Sequence, residues 1–304
     1  MARSDNLTGV LLMMGSMACF TFNDALMKTL ADEIPLYQLL FLRGVLTSAA
    51  VAVLAWRMGA LWARLSRRDA WLVFWRMVAE TGAAYFFLTA LFNMPIANVT
   101  AIMQALPLTI TLAAALFLRE PVGWRRLTAI LAGFCGVLLI VRPGADDFTI
   151  YSLYGLAAVA CVTLRDLVTR RLSAETPSIF VTLITSLTIM SVFGLASLAG
   201  DWAPMDGPAL AVTAGAAVMI IGGYLFSIMT MRVGEISFVT PFRYTSLIWA
   251  LLLGFVLFGE WPAPLTFLGA AIVVGCGLFT IWREARVARA WRYAQSARVR
   301  PRGL

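Results

Sequence analysis

The sequence contains no histidine and little charge, and both deficits narrow what the chain can do. Only 13% of its 304 residues are charged. Without histidine there is no Ser-His-Asp triad, no Cys-His dyad, no HExxH zinc site and no histidine-ligated haem. The sequence also lacks a GxxxxGK[ST] run, so the chain is not itself a P-loop ATPase. We therefore expect neither a cofactor nor a metal site.

Cysteine and lysine are scarce as well. The four cysteines stand in apolar runs without any CxxC spacing: Cys19, Cys135, Cys161 and Cys276. This pattern predicts buried, reduced thiols rather than disulfides or metal ligands. Lys28 is the only lysine, so the net charge of +8 comes almost entirely from arginine. The arginines cluster in short hydrophilic gaps and at the C-terminus, which indicates contact with membrane lipid headgroups and not with nucleic acid.

Apolar residues are what the sequence has in abundance. They make up 61% of the chain, and the mean hydropathy is +0.85. A soluble domain holds roughly 45–50% apolar residues, and a chain of this length cannot hide the excess inside a globule. A hydrocarbon core about 30 Å thick is crossed by roughly 20 helical residues. We therefore predict an all-α integral membrane protein with ten spans, at 8–30, 36–56, 70–92, 96–117, 124–141, 151–170, 178–199, 209–231, 237–258 and 263–282.

The basic residues also predict how the spans are oriented. One set of alternating segments holds eighteen of them, whereas the opposite set holds only Lys28 and Arg142. Basic residues are retained on the cytoplasmic side of a membrane. This places both termini in the cytoplasm, as an even number of spans requires. We expect a multi-pass protein of the cytoplasmic (inner) membrane.

The chain contains an internal repeat. Residues 18–35 align with residues 160–177 at an offset of 142, with seven identities in eighteen positions. Each half holds five spans, an odd number, so the second half enters the membrane upside down. We place the first repeat at 7–142, the second at 151–282 and a basic cytoplasmic tail at 283–304. Secondary transporters repeatedly use such inverted repeats to alternate between inward-open and outward-open shapes.

Several motifs carry a family resemblance. In the first half they are the helix with Asp24 and Lys28, followed by Arg43, the stretch from Pro107 to Glu120 that ends in the letters FLREP, and GFCGVLLIVRPG at 133–144. In the second half they are LFGEWPAPLTFLG at 257–269 and VVGCGLF at 273–279. In these motifs and their order the chain resembles the EamA-type transporters of the drug/metabolite transporter superfamily. It departs from an even repeat where Leu247 stands opposite Pro107.

The resemblance implies ten helices in two inverted five-helix repeats. It implies a central cavity formed by helices 1–4 and 6–9, with helices 5 and 10 at the periphery or at a homodimer contact. It also implies a small-molecule substrate, such as an amino acid, a vitamin such as riboflavin, a nucleoside-like compound or a drug.

Together these observations favour a secondary active transporter that works by alternating access. A passive channel or a scaffold is the alternative, and in either the charges inside the spans would be dispensable. An intramembrane enzyme is a weaker alternative, because the spans offer no clear nucleophile or metal constellation. We expect that the chain is not an enzyme.

Charged residues within the spans are the first candidates for a substrate site. An ionisable group there costs at least about 2.5–3.5 kcal/mol on insertion scales, so it usually faces protein or water. Three pairs stand four residues apart and share a helix face: Asp24/Lys28, Arg76/Glu80 and Asp166/Arg170. Such a pair either neutralises itself or offers counter-charges to a substrate. An arginine can bind a carboxylate or phosphate through two parallel hydrogen bonds.

Polar residues on the fourth span extend the candidate site. Thr100, Gln104, Pro107 and Thr111 share one helix face, and Pro107 leaves the carbonyl of Met103 without its helical donor. That face suits a cavity wall or a polar contact between helices. The predicted substrate-binding residues are Asp24, Arg43, Arg76, Glu80, Thr100, Gln104, Tyr224, Arg243 and Tyr244.

Two further roles follow from the same residues. A coupled proton would bind Asp24 or Glu80, because no histidine is available and a desolvated carboxylate takes up a proton more readily. Pro107 and Pro241 are the predicted gating positions.

Overall fold

The computed structural model describes residues 2–61, 65–119, 123–143, 149–173, 175–233 and 239–299. The first half comprises α1 (Ala2–Thr29), α2 (Leu36–Arg57), α3 (Arg67–Asn93), α4 (Ile96–Met103), α5 (Leu106–Phe117) and α6 (Trp124–Val141). The second half comprises α7 (Ile150–Arg170), α8 (Ser178–Ser197), α9 (Gly207–Val233), a 3₁₀ turn (Thr240–Tyr244), α10 (Thr245–Phe258) and α11 (Pro264–Val299).

Local sequence explains several helix ends. α2, α4 and α8 start directly after Pro35, Pro95 and Pro177, in keeping with the preference of proline for helix starts. Ser66 caps α3, because its hydroxyl accepts a hydrogen bond from the Asp69 backbone N–H at 3.0 Å. Gly259 ends α10 in the left-handed region, at φ 64°.

The all-α membrane fold predicted from hydropathy is confirmed. Among the described residues, nine segments are long and apolar enough to cross a membrane. The remaining predicted span, α3, is 27 residues long and carries Arg76 and Glu80 in its middle. Because of these charges α3 is less apolar than the other nine segments, although it is long enough to cross a membrane.

Two predicted spans differ from a continuous α-helix. The fourth is divided into α4 and α5, because Gln104 and Ala105 form a tighter turn with ψ of −11° and −12°. Pro107 consequently lies in the first turn of α5, where its missing N–H leaves no helical bond unmade. The ninth span begins as the 3₁₀ turn that contains Pro241 and Arg243. α11 continues past the predicted end of the tenth span to Val299, so the described part of the basic tail is helical.

The helices of the two halves pack against each other in equivalent pairs. α1 packs chiefly against α9, and α3 packs in the same way against α7. A Cβ built on Gly222 would lie 3.4 Å from the Cys19 Sγ, and one built on Gly82 would lie 3.1 Å from the Cys161 Sγ. Cys19 and Cys161 are aligned in the sequence repeat. The same cysteine–glycine contact is thus made twice, as two inverted repeats require.

The fifth and tenth spans, α6 and α11, pack against each other. A Cβ on Gly136 would lie 2.8 Å from the Gly269 carbonyl oxygen, so only glycine permits this approach. These two helices are peripheral to the cavities described below, as the resemblance implies. Their glycine faces are occupied within the chain, and the homodimer contact through them stays a prediction that would use their outer faces.

Different contacts join the helices at the two ends of the bundle. We call the end at which α1 begins the near face and the end at which α1 terminates the far face. An apolar cluster fills the far half, including Met27, Leu30, Leu91, Ile96, Phe193 and Leu253. At the near face, the Asp69 carboxylate accepts hydrogen bonds from the Ser173 hydroxyl at 2.7 Å and the Thr176 hydroxyl at 3.2 Å. This contact fastens α3 to the connection between α7 and α8.

Candidate functional site

Two of the cavities between helices of both halves are lined by charged side chains of the predicted spans. The central cavity has a volume of about 200 Å³ and is lined from α1, α3, α4, α5, the 3₁₀ turn and α10. The side cavity has a volume of about 60 Å³ and is lined from α2, α3, α8 and α9. At that size the side cavity can hold a few water molecules, because one water needs roughly 10–15 Å³ of such space.

All nine predicted substrate-binding residues line one of these cavities. Those at the central cavity are Asp24, Thr100, Gln104, Arg243 and Tyr244, together with the predicted gating residue Pro107. Those at the side cavity are Arg43, Arg76, Glu80 and Tyr224. Pro241 lies in the 3₁₀ turn beside Arg243 and is not part of either lining.

Asn23 connects the two cavities. Its side-chain oxygen accepts a hydrogen bond from the Arg43 Nη1 at 3.1 Å, and its Nδ2 donates to the Asp24 Oδ1 at 2.9 Å. One amide therefore links a guanidinium that lines the side cavity to a carboxylate that lines the central cavity. Asn23 was not among the predicted site residues, because a neutral side chain within a span carries no charge that would single it out in the sequence.

Glu80 lies close to arginine side chains from two helices. Its Oε1 lies 3.2 Å from the Arg165 Nη1, and its Oε2 lies 3.9 Å from the Arg76 Nη2. Arg165 also binds Asp166, with its Nε 2.8 Å from the Oδ1. Tyr224 on α9 lines the side cavity together with Arg76 and Glu80. α3, α7 and α9 thus meet in one charged cluster.

Arg165 and Asp166 belong to this cluster although they were not among the predicted site residues. Asp166 was paired with Arg170 in the sequence because the two stand four residues apart. In the structure Arg170 is exposed, and Asp166 binds Arg165 instead. The signal that identifies Arg165 is its depth, since it stands within the sixth span beside an acid.

Arg243 differs from the other arginines of the spans. It is half-buried in the lining of the central cavity. No side chain in the described part of the chain makes a hydrogen bond or an ion pair with its guanidinium. The charges that act on it through space include the attractive Asp166 and the repulsive Arg165.

Tyr244 contributes its ring and not its hydroxyl to the central cavity. The hydroxyl is buried against the backbone of Gly277 on α11, and within the described residues it has no hydrogen-bond partner. Gln104 instead bonds across the cavity wall, with its Nε2 2.9 Å from the Ser246 Oγ. This bond joins α4 to α10.

A latch of charged and backbone groups closes the far face. The Lys28 Nζ lies 2.6 Å from the Glu260 Oε1 and also donates to the Met94 carbonyl. The Glu260 Oε2 accepts a hydrogen bond from the Ile96 N–H at 2.9 Å. Lys28 is therefore paired with Glu260 and not with Asp24. The latch ties the ends of α1, α3 and α10 to the start of α4.

The far-face latch has a counterpart in the sequence repeat. Arg170 aligns with Lys28, and Glu120 aligns with Glu260 at an offset of 140. Arg170 is exposed, whereas only 9% of the Lys28 side chain is exposed. Glu120 lies outside the described residues. The two aligned cations therefore stand in different environments at the two faces.

No group of three or more His, Cys, Asp or Glu side chains that could hold a metal ion occurs in the described ranges. The four cysteines are free thiols, but the prediction that they are buried is wrong, since Cys135 is exposed and Cys19, Cys161 and Cys276 are half-buried. The polar groups that line the cavities are guanidinium, carboxylate, amide and hydroxyl groups, and they can bind an organic solute through charge and hydrogen bonds.

Comparisons with known proteins agree with this architecture. The model of the EamA-like transporter family matches the chain twice, over residues 7–142 and 149–282. The riboflavin transporter of Vibrio cholerae is 32% identical over 201 residues, which cover 65% of this chain and 67% of that protein. The S-adenosylmethionine uptake transporter of Rickettsia felis is 24% identical over 287 residues, covering 92% and 94%. A crystal structure with 19% sequence identity shares the fold, with a TM-score of 0.63 over 93% of this chain and 99% of its own.

Proposed function

This chain belongs to the EamA-like transporter family, and we propose that it is a secondary carrier that moves a small organic metabolite by alternating access. Membership of a transporter family makes it a multi-pass membrane transporter and not an enzyme. One observation carries the proposed mechanism. A charged cavity lies between inverted repeats, and a latch closes the far face above it.

The latch supports alternating access because its parts belong to both repeats. Lys28, Met94 and Ile96 come from the first repeat, whereas Glu260 comes from the second. A movement of one repeat against the other would break these bonds and open the far face. In the sequence repeat Arg170 and Glu120 are the counterparts of Lys28 and Glu260, and we expect the same movement to close the near face through an equivalent contact.

The lining of the central cavity supports a ring-bearing substrate. Phe20, Phe87 and the ring of Tyr244 stand beside the polar groups Gln104 and Arg243. Small-molecule sites combine apolar and aromatic walls with a few polar groups that fix orientation. Riboflavin and S-adenosylmethionine, for which two similar proteins are named, both contain heterocyclic rings.

Counterflow in liposomes tests the proposal. Purified full-length protein is reconstituted, loaded with one candidate metabolite at high concentration and exposed outside to a trace of the same labelled metabolite. A carrier accumulates label transiently and saturates with concentration. Flux that rises linearly, without stimulation by internal substrate, would identify a passive channel and overturn the proposal.

Proton coupling through Asp24 or Glu80 is part of the same proposal. Counterflow is then repeated with an imposed pH gradient, using Asp24→Asn and Glu80→Gln. A coupled carrier concentrates substrate against its gradient only when the pH gradient is present, and at least one of the two variants loses this. Equal accumulation with and without the gradient would assign the protein to uncoupled exchange.

The proposed orientation places the near face on the cytoplasmic side of the inner membrane. Eighteen basic residues in the segments of that face support it. The variants Arg57→Cys and Trp202→Cys, each made alone in a cysteine-free background, provide the test. An impermeant maleimide added outside spheroplasts should label the cysteine at 202 and spare the one at 57.

A further inference from the structure

The charges within the membrane-spanning segments do not cancel. Leaving out the three residues at either end of each span, the spans carry four arginines and three carboxylates: Arg43, Arg76, Arg165 and Arg243 against Asp24, Glu80 and Asp166. Lys28 and Glu260 neutralise each other at the far face and leave this count unchanged. A charge withdrawn from water is costly unless a counter-charge accompanies it. The interior therefore carries one positive charge without a protein counter-charge.

The contacts identify which arginine carries the surplus. Arg43 is held by Asn23 beside Asp24, and Arg165 holds both Glu80 and Asp166. Arg76 lies against Glu80 and donates to the Thr169 hydroxyl at 2.8 Å. That leaves Arg243, whose guanidinium has no hydrogen bond or ion pair with any side chain in the described ranges. It is also the only one of the four that lines the central cavity.

We propose that the central cavity binds a small organic anion, with a carboxylate on Arg243 and a ring against Phe20 and Phe87. This inference rests on the proposed carrier function and adds the charge class of its substrate. A guanidinium offers two parallel N–H donors that match the two oxygens of a carboxylate. The cavity volume of about 200 Å³ is below the roughly 300–1,000 Å³ of drug-sized sites, so it suits a single-ring or two-ring acid.

The charge preference holds in either protonation state of the site. If Asp24 or Glu80 takes up a proton, a negative charge disappears and the positive surplus grows. A neutral ligand leaves Arg243 without a counter-charge, and a ligand of net positive charge adds repulsion. An anion supplies the counter-charge to Arg243, and so removes the cost of an unpaired charge away from water in both protonation states.

Matched ligand triplets test this inference on the purified full chain. One triplet is indole-3-acetate, indole-3-acetamide and tryptamine, and the other is phenylacetate, phenylacetamide and phenethylamine. Within a triplet the ring and the two-carbon side chain are constant, and the terminal group changes from carboxylate to amide to ammonium. Binding is measured by thermal shift and by titration at constant chloride and constant ionic strength. At least one acid should bind about tenfold or more tightly than its amide and its amine, which is the scale of a charge-assisted hydrogen bond.

Substitutions connect that preference to one residue. Arg243→Gln should reduce the acid to the affinity of its amide. Arg243→Lys keeps the charge without the two-pronged donor and should retain part of the preference. Arg125→Gln is the matched control, because Arg125 lies over the Trp124 ring at the near face and outside both cavities. Should Arg243→Gln fail to fold, the lysine variant and the wild-type series still decide.

Several outcomes would overturn the inference. These are equal binding of acid and amide, an acid preference that survives Arg243→Gln, the same thermal shift from chloride alone, and no binding by either acid. A neutral or cationic metabolite that gives saturable counterflow would also overturn it, yet would leave the carrier function standing. Loss of saturable counterflow for every metabolite would instead remove the proposed function.

Discussion

The partner of each buried charge is set by the neighbouring helices and not by spacing along one helix. Their spacing of four residues along a helix predicts that Asp24 pairs with Lys28 and that Asp166 pairs with Arg170. Lys28 binds Glu260, which follows the end of α10 and lies 232 residues away in the chain, and Asp166 binds its sequence neighbour Arg165. Sequence could predict which residues turn inward, because lipid penalises exposed charge. It could not predict the pairs, because these depend on where other helices place their charges.

A single-residue prediction concerns the contact between Tyr244 and Gly277. A Cβ at Gly277 would overlap the Tyr244 hydroxyl, whereas a Cβ at Gly275 meets no atom within 4 Å. Gly277→Ala should therefore destabilise the protein by about 1–3 kcal/mol, the usual cost of overpacking. Thermal unfolding in detergent should show a clear drop for Gly277→Ala and little change for the control Gly275→Ala.

A second variant separates this clash from a general effect of alanine. Tyr244→Phe removes the buried hydroxyl and should recover part of the loss in the Gly277→Ala background. The recovery is partial because the ring carbon that bears the hydroxyl also stands close, 2.7 Å from the built Cβ. Equal destabilisation by alanine at both glycines would contradict the steric explanation.

Among the structural elements, the breaks in the fourth and ninth spans are what hydropathy could not predict. A hydropathy pattern reports that about 20 apolar residues cross the membrane and is blind to the hydrogen bonds between them. The structure ends α4 at Met103 and begins the ninth span with the 3₁₀ turn Thr240–Tyr244. Both breaks border the central cavity, through Gln104 and Arg243. Irregular backbone is tolerated at membrane depth where it lines a cavity.

The connection between α7 and α8 yields a pH-dependent prediction. Asp69 stands just ahead of the predicted third span, and the hydrogen bond from Ser173, with others from Ser66 and Thr176, lowers the pKa of its carboxyl. A lowered pKa in the folded state means stability that is present above the unfolded value, about 3.9, and lost as pH falls through the folded value. Asp69→Asn should therefore lower the melting temperature near pH 7.

The measurement is the difference in melting temperature between Asp69→Asn and wild type as a function of pH. The difference should stay constant from pH 7 to about pH 5 and shrink below about pH 4, because the Asp69 carboxyl of the unfolded chain takes up a proton there while the folded one is still charged. Asp206→Asn is a matched control, because Asp206 caps α9 at the far face by accepting from the Ala209 N–H at 2.8 Å. A difference that grows as the pH falls would contradict the assignment.

For the whole molecule, the inverted repeat was predictable from sequence but its asymmetry was not. Cys19 and Cys161 align in the repeat and make equivalent contacts with Gly222 and Gly82. Lys28 and Arg170 align equally well, yet one is buried in a latch and the other is exposed. Two halves with similar sequences must adopt different conformations if only one face is closed. The sequence of each half must be compatible with both conformations, so it cannot indicate which half adopts which conformation.

The latch provides a prediction about access to the cavity. Lys28→Ala removes the bonds to Glu260 and Met94, so the far face should open more often. In a cysteine-free variant with Thr100→Cys in the central cavity, an impermeant maleimide from the far side should react several-fold faster after Lys28→Ala. Lys28→Arg keeps the cation and serves as the control.

A charge exchange tests whether the ion pair itself holds the latch. Lys28→Glu combined with Glu260→Lys should bring the labelling rate back toward that of the parent, whereas each single reversal should raise it. Recovery is incomplete because Met94 and Ile96 also bond to the original side chains. Unchanged labelling in all of these variants would show that the apolar cluster alone closes the far face.

The unpaired charge of Arg243 has a consequence for how a membrane potential acts on the carrier. A site that is neutral with an anion bound and positive when empty responds to the membrane potential only in its empty form. One elementary charge that crosses the full field changes the free energy by about 2.3 kcal/mol per 100 mV. An interior-negative potential would therefore hold the empty carrier with its site toward the cytoplasm, the same side as in a molecule latched at its far face. The voltage would thus set the resting direction of the carrier, even where the transport step itself moves no net charge.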